Sequence, residues 1–344
     1  MCVELLKPGD PTKLGGIALR GRLGEGGMGT VYYGITSDGD ELAVKTIQDR
    51  YVNRPALKSR FEREVEAMGM VQGPRVANLI AASAPGETRP WLATEYIRGL
   101  TLTQYVGEHG TLPSVLATAL GIALGDALAT IHQAGVLHRD LKPSNVILAP
   151  DGPRVIDFGL AALTDRPGDL TVTNDVLGTP ACMSPEQAIS SRDVTAATDV
   201  YALGAMLTFT VTGHYPYQGE TGRDTQNAIT DPAVEPDLSG IPAVLLPVIS
   251  GMLAYAAAAR PTVGDVHSEL AKILASEGQT DPDAAVWRLA EATFRDSPGA
   301  PERPRTIPPP QRLPDPECDP RVPSALVKQA ADRLRRDYAA SAPF

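Results

Sequence analysis

Within the run His138-Arg139-Asp140-Leu141-Lys142-Pro143-Ser144-Asn145, a carboxylate, an ammonium and a side-chain amide fall close together at Asp140, Lys142 and Asn145. A carboxylate can orient a hydroxyl and accept its proton, and an ammonium can neutralise charge on a group in transit. The carbonyl oxygen of an amide suits a hard cation such as Mg²⁺. The mixture suits phosphoryl transfer. A surface loop with a chance collection of charges would show the same letters, so the octet needs support from the rest of the chain.

Several stretches around it could supply that support. Gly24-Glu25-Gly26-Gly27-Met28-Gly29 has GxGxxG spacing, and glycines let a backbone approach phosphates closely while its amides donate to them. In a dinucleotide-binding fold such a run opens a helix. Here Thr30 to Ile35 is rich in β-branched and aromatic residues, which predicts a strand. Glu41 to Ile47 alternates as a second strand around one cation, Lys45, which by itself fits a solvated strand lysine as well as a phosphate ligand. Arg60 to Met68 predicts an amphipathic helix with Phe61, Val65 and Met68 on its buried face. Leu116 to Gln133 predicts a long apolar helix leading into the octet, and Val146–Leu148, the turn Asp151-Gly152 and Arg154–Ile156 predict a β-hairpin after it.

The bulk composition narrows the classes. A chain of 344 residues has room for two lobes and a tail, and a hydrophobic fraction of 43% makes it mostly globular. With 31 basic against 41 acidic residues the net charge is -10, which argues against nucleic acid or an anionic membrane as the main partner. The cysteines Cys2, Cys182 and Cys318 are far apart and lack metal-binding spacing, which fits a reducing cytoplasm better than a disulfide framework. Met1 to Pro11 has no signal-peptide core. The uncharged run Ile241 to Ala259 approaches the length of a membrane span, but Pro242 and Pro247 interrupt it and it is rich in alanine rather than leucine, so no membrane span is expected.

The octet matches HRDLxxxN, and with the other stretches it resembles the catalytic core of eukaryotic-type Ser/Thr protein kinases, in particular the bacterial, actinobacterial-like branch. Val155-Ile156-Asp157-Phe158-Gly159 resembles the DFG region, Gly178-Thr179-Pro180 with Ser184-Pro185-Glu186 resembles GTP…APE with serine for alanine, and Thr198-Asp199-Val200-Tyr201-Ala202-Leu203-Gly204 resembles the helix that follows it. This resemblance implies an α+β, bilobal fold at 14–276, with a β-rich N-lobe at 14–95 and a mostly helical C-lobe at 98–276.

It also implies a distribution of roles. ATP would lie against Leu23, Gly24, Glu25, Gly26, Gly27, Met28, Gly29, Val31 and Ala43, with Lys45 on its α- and β-phosphates and Glu64 as that lysine's partner. Thr94 would be a small gatekeeper, with adenine bonded to the backbone near Glu95 and Ile97. Asp140 would act on the substrate hydroxyl, Lys142 on the moving phosphoryl group, and Asn145 and Asp157 would hold Mg²⁺, or Mn²⁺ in its place. Leu160 to Met183 would be an activation segment in which phosphate on Thr171 or Thr173, among the hydroxyls of Thr164, Thr171, Thr173 and Thr179, pairs with Arg139. Thr179 would mainly contact Asp140 and Lys142, Asp199 would anchor the catalytic loop, and Glu186 would pair with Arg260. Gly73-Pro74-Arg75 departs from the usual HPN turn, and Cys182 stands where an aromatic is usual, which leaves the shape of the peptide pocket open.

Two rivals remain in view. A pseudokinase scaffold usually lacks one of the three residues present here as Lys45, Asp140 and Asp157, and a small-molecule phosphotransferase lacks the APE segment and the arginine paired with it. Beyond the kinase-like region, 277–296 predicts one more helix, 297–323 a Pro-rich linker, and 324–344 a short amphipathic helical tail that could recruit a partner. Many relatives carry a membrane anchor; this chain reads as a cytoplasmic version that acts on unidentified protein substrates and forms a transient homodimer for trans-autophosphorylation.

Overall fold

The strand patterns of the first ninety or so residues close into one antiparallel sheet in the structure, a computed structural model of the chain that describes residues 3–26, 29–47, 62, 65–84, 87, 89–158, 180–190 and 194–296. The strands are β1 (Lys13–Leu14), β2 (Ile17–Gly26), β3 (Gly29–Ile35), β4 (Glu41–Ile47), β5 (Leu79–Ala82) and β6 (Trp91–Glu95), in the order β1-β2-β3-β4-β6-β5. Register fixes which side chains share a face, because directly paired residues point the same way. Val31 pairs with Lys45 and Lys45 with Leu92, while Tyr33 pairs with Ala43 and Ala43 with Thr94. Val31, Ala43, Lys45 and Thr94 therefore line one face. Tyr32, Val44 and Ala93 occupy the other, packed with Ile17, Leu19, Leu42 and Trp91.

Residues 65–70 are helical, with Met68 buried and Val65 half-buried. The segment 48–61 and Glu64 lie outside the described residues.

The second lobe begins at β7 (Leu100–Thr101), which caps α1 (Leu102–His109) through a capping box of Thr101 and Gln104. Helix α2 (Ser114–Gln133) is apolar almost all round because it runs through the core. It is the one helix among the described residues long and apolar enough to cross a membrane, and 67% of its apolar window is buried inside the protein. After it come β8 (Val146–Ala149) and β9 (Gly152–Val155), which complete a three-stranded sheet in the order β7-β8-β9. Helices α3 (Pro185–Ile189), α4 (Ala196–Thr212), α5 (Gly222–Thr230), α6 (Leu246–Met252), α7 (Val263–Ser276) and α8 (Pro282–Thr293) follow. Gly204 lets α4 and α6 approach closely, since a Cβ there would lie 2.8 Å from Cβ of Met252. The run Ile241–Ala259 is broken into a turn, α6 and a 3-10 turn at Ala257–Ala259, with only Val248, Ile249 and Met252 of α6 buried.

Within 277–296, where one more helix is expected, α8 runs over Pro282–Thr293, with Asp281 capping its start and Phe294 its end. The expected linker and tail at 297–344 lie outside the described residues.

One ion pair ties the C-lobe together across 74 residues of sequence: Arg260 donates to both carboxylate oxygens of Glu186, at 2.7 and 2.8 Å. Its remaining donors reach the carbonyls of Ala254, Ala197 and Tyr255, and its plane lies 4.9 Å from the ring of Tyr201. Burial would raise the Glu186 carboxyl, but the bonds from Arg260 and Thr198 hold it below the usual carboxylate range. A lysine cannot reproduce that fork. Arg260→Met should cost about 3 kcal/mol in denaturant unfolding, and Arg260→Lys at least about 1 kcal/mol. Unchanged midpoints in both would show that the pair is not a structural tie.

Candidate active site

The octet follows α2 as a loop whose shape is set from below. The Asp199 carboxylate, in the first turn of α4 and fully buried, accepts the backbone amides of His138 at 2.9 Å and Arg139 at 2.8 Å. The ring of His132, at the end of α2, lies 2.7 Å from the same carboxylate. Gln187 of α3 donates to the Arg139 carbonyl at 2.5 Å, so the Arg139 residue is gripped on both sides. That grip supports a left-handed backbone at Arg139, φ 63°, which costs a non-glycine residue on the order of 1 kcal/mol. His138 is fully buried, and desolvation holds its imidazole below the usual histidine range. Its Nδ1 accepts the amide of Asp140, which places the ring proton on Nε2.

The loop then presents its reactive groups. Lys142 Nζ lies 2.7 Å from Asp140 Oδ2. The Asn145 amide nitrogen donates to the Asp140 carbonyl at 2.8 Å and approaches Oδ2 at 3.3 Å. The Asp140 side chain keeps 41% of its surface open. Spending the Asn145 nitrogen inward leaves its carbonyl oxygen to serve a ligand. On the facing lobe, Lys45 reaches down from β4 to Asp157 Oδ2 at 3.0 Å. Asp157 also has a left-handed backbone, φ 59°. Burial would raise its carboxyl, but Lys45, then Lys142 and His138, outweigh that and keep it ionised, below the usual range. Phe158 beside it is fully buried in the core that also holds Met68.

The oxygen set fits a hard divalent cation. Asp157 is a partly exposed carboxylate held ionised, and Asn145 offers an amide oxygen, both hard oxygen donors. In the upper lobe Leu23, Tyr33 and Tyr96 form a cluster with Val31 and Ala43 packed on it, an apolar ceiling between sheet and hinge. Gly24, Glu25 and Gly26 end β2 and Gly29 opens β3, with Gly27 and Met28 outside the described residues.

The protein kinase domain model matches residues 17–270, about three-quarters of the chain. This chain belongs to the protein kinase domain family. It is 42% identical over 289 residues to the serine/threonine-protein kinase AfsK of Streptomyces coelicolor, an alignment covering 84% of this chain and 36% of that protein. It is 40% identical over 268 residues to the probable serine/threonine-protein kinase PkwA of Thermomonospora curvata, covering 78% of this chain and 35% of that one. The chain thus spans about a third of the length of these curated relatives. The solved kinase domain of PknI from Mycobacterium tuberculosis superposes with a TM-score of 0.62 at 24% identity, covering 77% of this chain and 99% of that one, which shows the fold. Family membership brings with it the use of ATP and a divalent metal, and protein substrates in general.

Within this kinase domain some expected contacts involve residues that are not described. Glu64, Thr171, Thr173 and Thr179 lie outside the described residues, and the described partner of Lys45 is Asp157. Cys182 is buried among the groups below the catalytic loop, and burial pushes its thiol up to about 12, which removes the thiolate needed for redox chemistry.

Sequence reasoning missed the hinge ties. The Glu95 carboxylate accepts from Asn78, through both its backbone and its side-chain nitrogen, and from Arg154 of β9 at 2.9 Å. Arg98 donates to both oxygens of Glu41, which also accepts the Tyr33 hydroxyl. Neither tie has a local sequence signal, since its partners lie between 17 and 59 residues apart, except for Tyr33 and Glu41.

Asp199→Asn keeps size but replaces one acceptor oxygen with a donor that opposes the amides it faces. It should destabilise the domain by about 3 kcal/mol in denaturant unfolding. A variant as stable as the parent would mean that the carboxylate does not hold the loop.

Proposed function

We propose that the chain transfers the γ-phosphate of ATP to serine or threonine hydroxyls of proteins, using Mg²⁺ or, in its place, Mn²⁺. The observation that carries this reading is the facing pair of lysine–carboxylate contacts, Lys142–Asp140 below and Lys45–Asp157 above, on a kinase-family scaffold. Adenine lies under Leu23, Val31 and Ala43, beside Thr94, and bonds the backbone at Glu95 and Ile97. The glycine segment Gly24–Gly29 covers the phosphates, and Lys45 binds them with Glu64 as its second anion. Asp157 and the Asn145 oxygen hold the metal, which when bound neutralises charge on the phosphate oxygens.

In the reaction Asp140 orients the substrate hydroxyl and takes its proton as the oxygen bonds to the γ-phosphorus. The bond from that phosphorus to the β–γ bridging oxygen breaks, and ADP leaves with the electron pair. Lys142, already drawn to Asp140, offsets the negative charge on the moving phosphoryl group. Arg139, its backbone gripped by Asp199 and Gln187, is the receptor for phosphate on Thr171 or Thr173. Thr179 positions Asp140 and Lys142.

Phosphate on the activation segment is added between two copies of the chain in a transient dimer, in the cytoplasm, and the tail at 324–344 recruits a partner. The presence of Lys45, Asp140 and Asp157 together favours catalysis over a scaffold role, and the Glu186–Arg260 pair favours a protein over a small-molecule acceptor.

Incubation with labelled ATP, Mg²⁺ and a generic protein substrate should label the protein, and Asp140→Asn should lower the rate by about three orders of magnitude. Label that survives in the variant, or that goes only to small hydroxyl compounds, would refute the proposal. Mass spectrometry of the ATP-treated wild type should find phosphate on 160–183, at Thr171 or Thr173; an unmodified segment would remove the activation step.

A further inference from the structure

Residues ahead of the expected domain start at 14 are built onto the nucleotide lobe. Glu4 and Arg22 exchange both backbone hydrogen bonds, each at 2.8 Å, so the first described residues add a short bridge to the edge of β2 just before the glycine segment. Gly21 makes room for it: a Cβ there would lie 2.5 Å from both the Glu4 carbonyl oxygen and the Val3 side chain. Val3 packs on Leu23, Tyr33 and Tyr96, the cluster that also carries Val31 and Ala43. The strap then turns at Lys7–Asp10, where the Asp10 carboxylate accepts the Lys7 amide at 2.7 Å.

Asp10 is the buried end of a charge chain. Arg22 forks onto it through Nε at 2.7 Å and a terminal nitrogen at 2.5 Å, and the Tyr32 hydroxyl donates to it at 3.0 Å. The side chains of Asp10 and Arg22 are only 5% and 11% exposed. The remaining guanidinium nitrogen of Arg22 reaches Glu25 at 2.7 Å, and Lys7 stands 3.5 Å from the same carboxylate. Glu25 is the acid of the glycine segment Gly24–Gly29, where a triphosphate would pass. Left to itself its charge would repel that polyanion. Two cations from the strap side draw it away, and Asp10 fixes the cation that does most of the work in geometry. The bonds from Arg22 hold the Asp10 carboxyl far below the usual range, so the chain stays charged across neutral pH.

We propose that Arg22, clamped by Asp10 of the strap at residues 3–10, is a positioning residue for ATP: it holds the Glu25 carboxylate away from the phosphates and fixes the end of β2 at Gly24, Glu25 and Gly26. The strap thereby tunes affinity for the triphosphate rather than for the nucleoside. This rests on the ATP-binding reading of the cleft.

The test compares ATP with adenosine on the full chain. Arg22→Met should raise KM for ATP about fivefold, leave kcat within about twofold, and leave adenosine affinity within about twofold. Glu25→Gln in the Arg22→Met background should recover most of the ATP loss, because it removes the charge that Arg22 offsets. The loss in Arg22→Met should shrink to about twofold at 0.5 M salt, where partly exposed charges are screened. Asp10→Asn, which keeps the side-chain shape, should shift KM in the same direction by about twofold and serves if Arg22→Met does not fold. Equal weakening of ATP and adenosine would assign Arg22 a merely structural role, and no change in KM, or no recovery with Glu25→Gln, would overturn the proposal outright. A wild-type chain that binds adenosine and ATP equally sinks this inference alone, whereas one that binds neither sinks the kinase reading with it.

Discussion

The buried carboxylate of Asp199 is the constraint from which the catalytic loop takes its shape. Two consecutive backbone amides, those of His138 and Arg139, converge on it, and the Arg139 carbonyl is held by Gln187. These bonds from Asp199 and Gln187 offset the strain of the left-handed backbone at Arg139. Once that peptide is fixed, Asp140 must emerge on the cleft side, within reach of Lys142 and Asn145. The carboxylate itself is tolerable in the core only because its three acceptor contacts, His132 included, replace water. Position of the chemistry and folding of the loop are therefore one problem.

The upper lobe meets this loop through a second strained residue. Asp157 adopts a left-handed backbone two residues after β9, and the turn lets its carboxylate face Lys45 while Phe158 goes into the core. Lys45 can reach it because the sheet register sets Lys45 opposite Val31 and Leu92, on the face turned to the cleft. A slip of one residue would send the lysine to the other face. The hinge contacts keep the two halves in register with each other: Glu95 at the end of β6 is bonded to Arg154 of β9, the strand that leads to Asp157.

Much of this was legible in the sequence because it is local. Strand alternation, the apolar helix and the octet each declare themselves within a few residues, and the glycine segment was rightly read as strand-flanked because Thr30–Ile35 carries β-branched and aromatic side chains. What stayed hidden is non-local. The pairing of Glu95 with Asn78 and Arg154, and of Arg98 with Glu41, joins residues whose types are ordinary surface types, and nothing in their neighbours distinguishes them from solvated charges. The strap was missed for a related reason: Val3–Asp10 is short, polar and broken by Pro8 and Gly9, so it lacks any period, and its order comes from Gly21 and Arg22 across the turn. The last helix is shorter than the 277–296 expected because Asp281 caps its start and the backbone leaves the helix at Phe294.

The same distinction resolves the tension between an acidic chain and a polyanionic ligand. A net charge of -10 argues against nucleic acid only as an average over the surface. Around the cleft described carboxylates have cation partners: Asp157 with Lys45, Asp140 with Lys142, Glu25 with Lys7 and with Arg22, which Asp10 shares, Glu95 with Arg154, which Asp151 shares, and Glu41 with Arg98. Each pair is close enough to cancel most of its far field, so a phosphate group arriving there meets near-neutral walls rather than the acidic average. On the proposed reading Lys45 and Lys142 trade a carboxylate for a phosphate oxygen, an exchange of like partners that costs little desolvation. Matched pairs thus make the site permissive to ATP without making it sticky for polyanions at large.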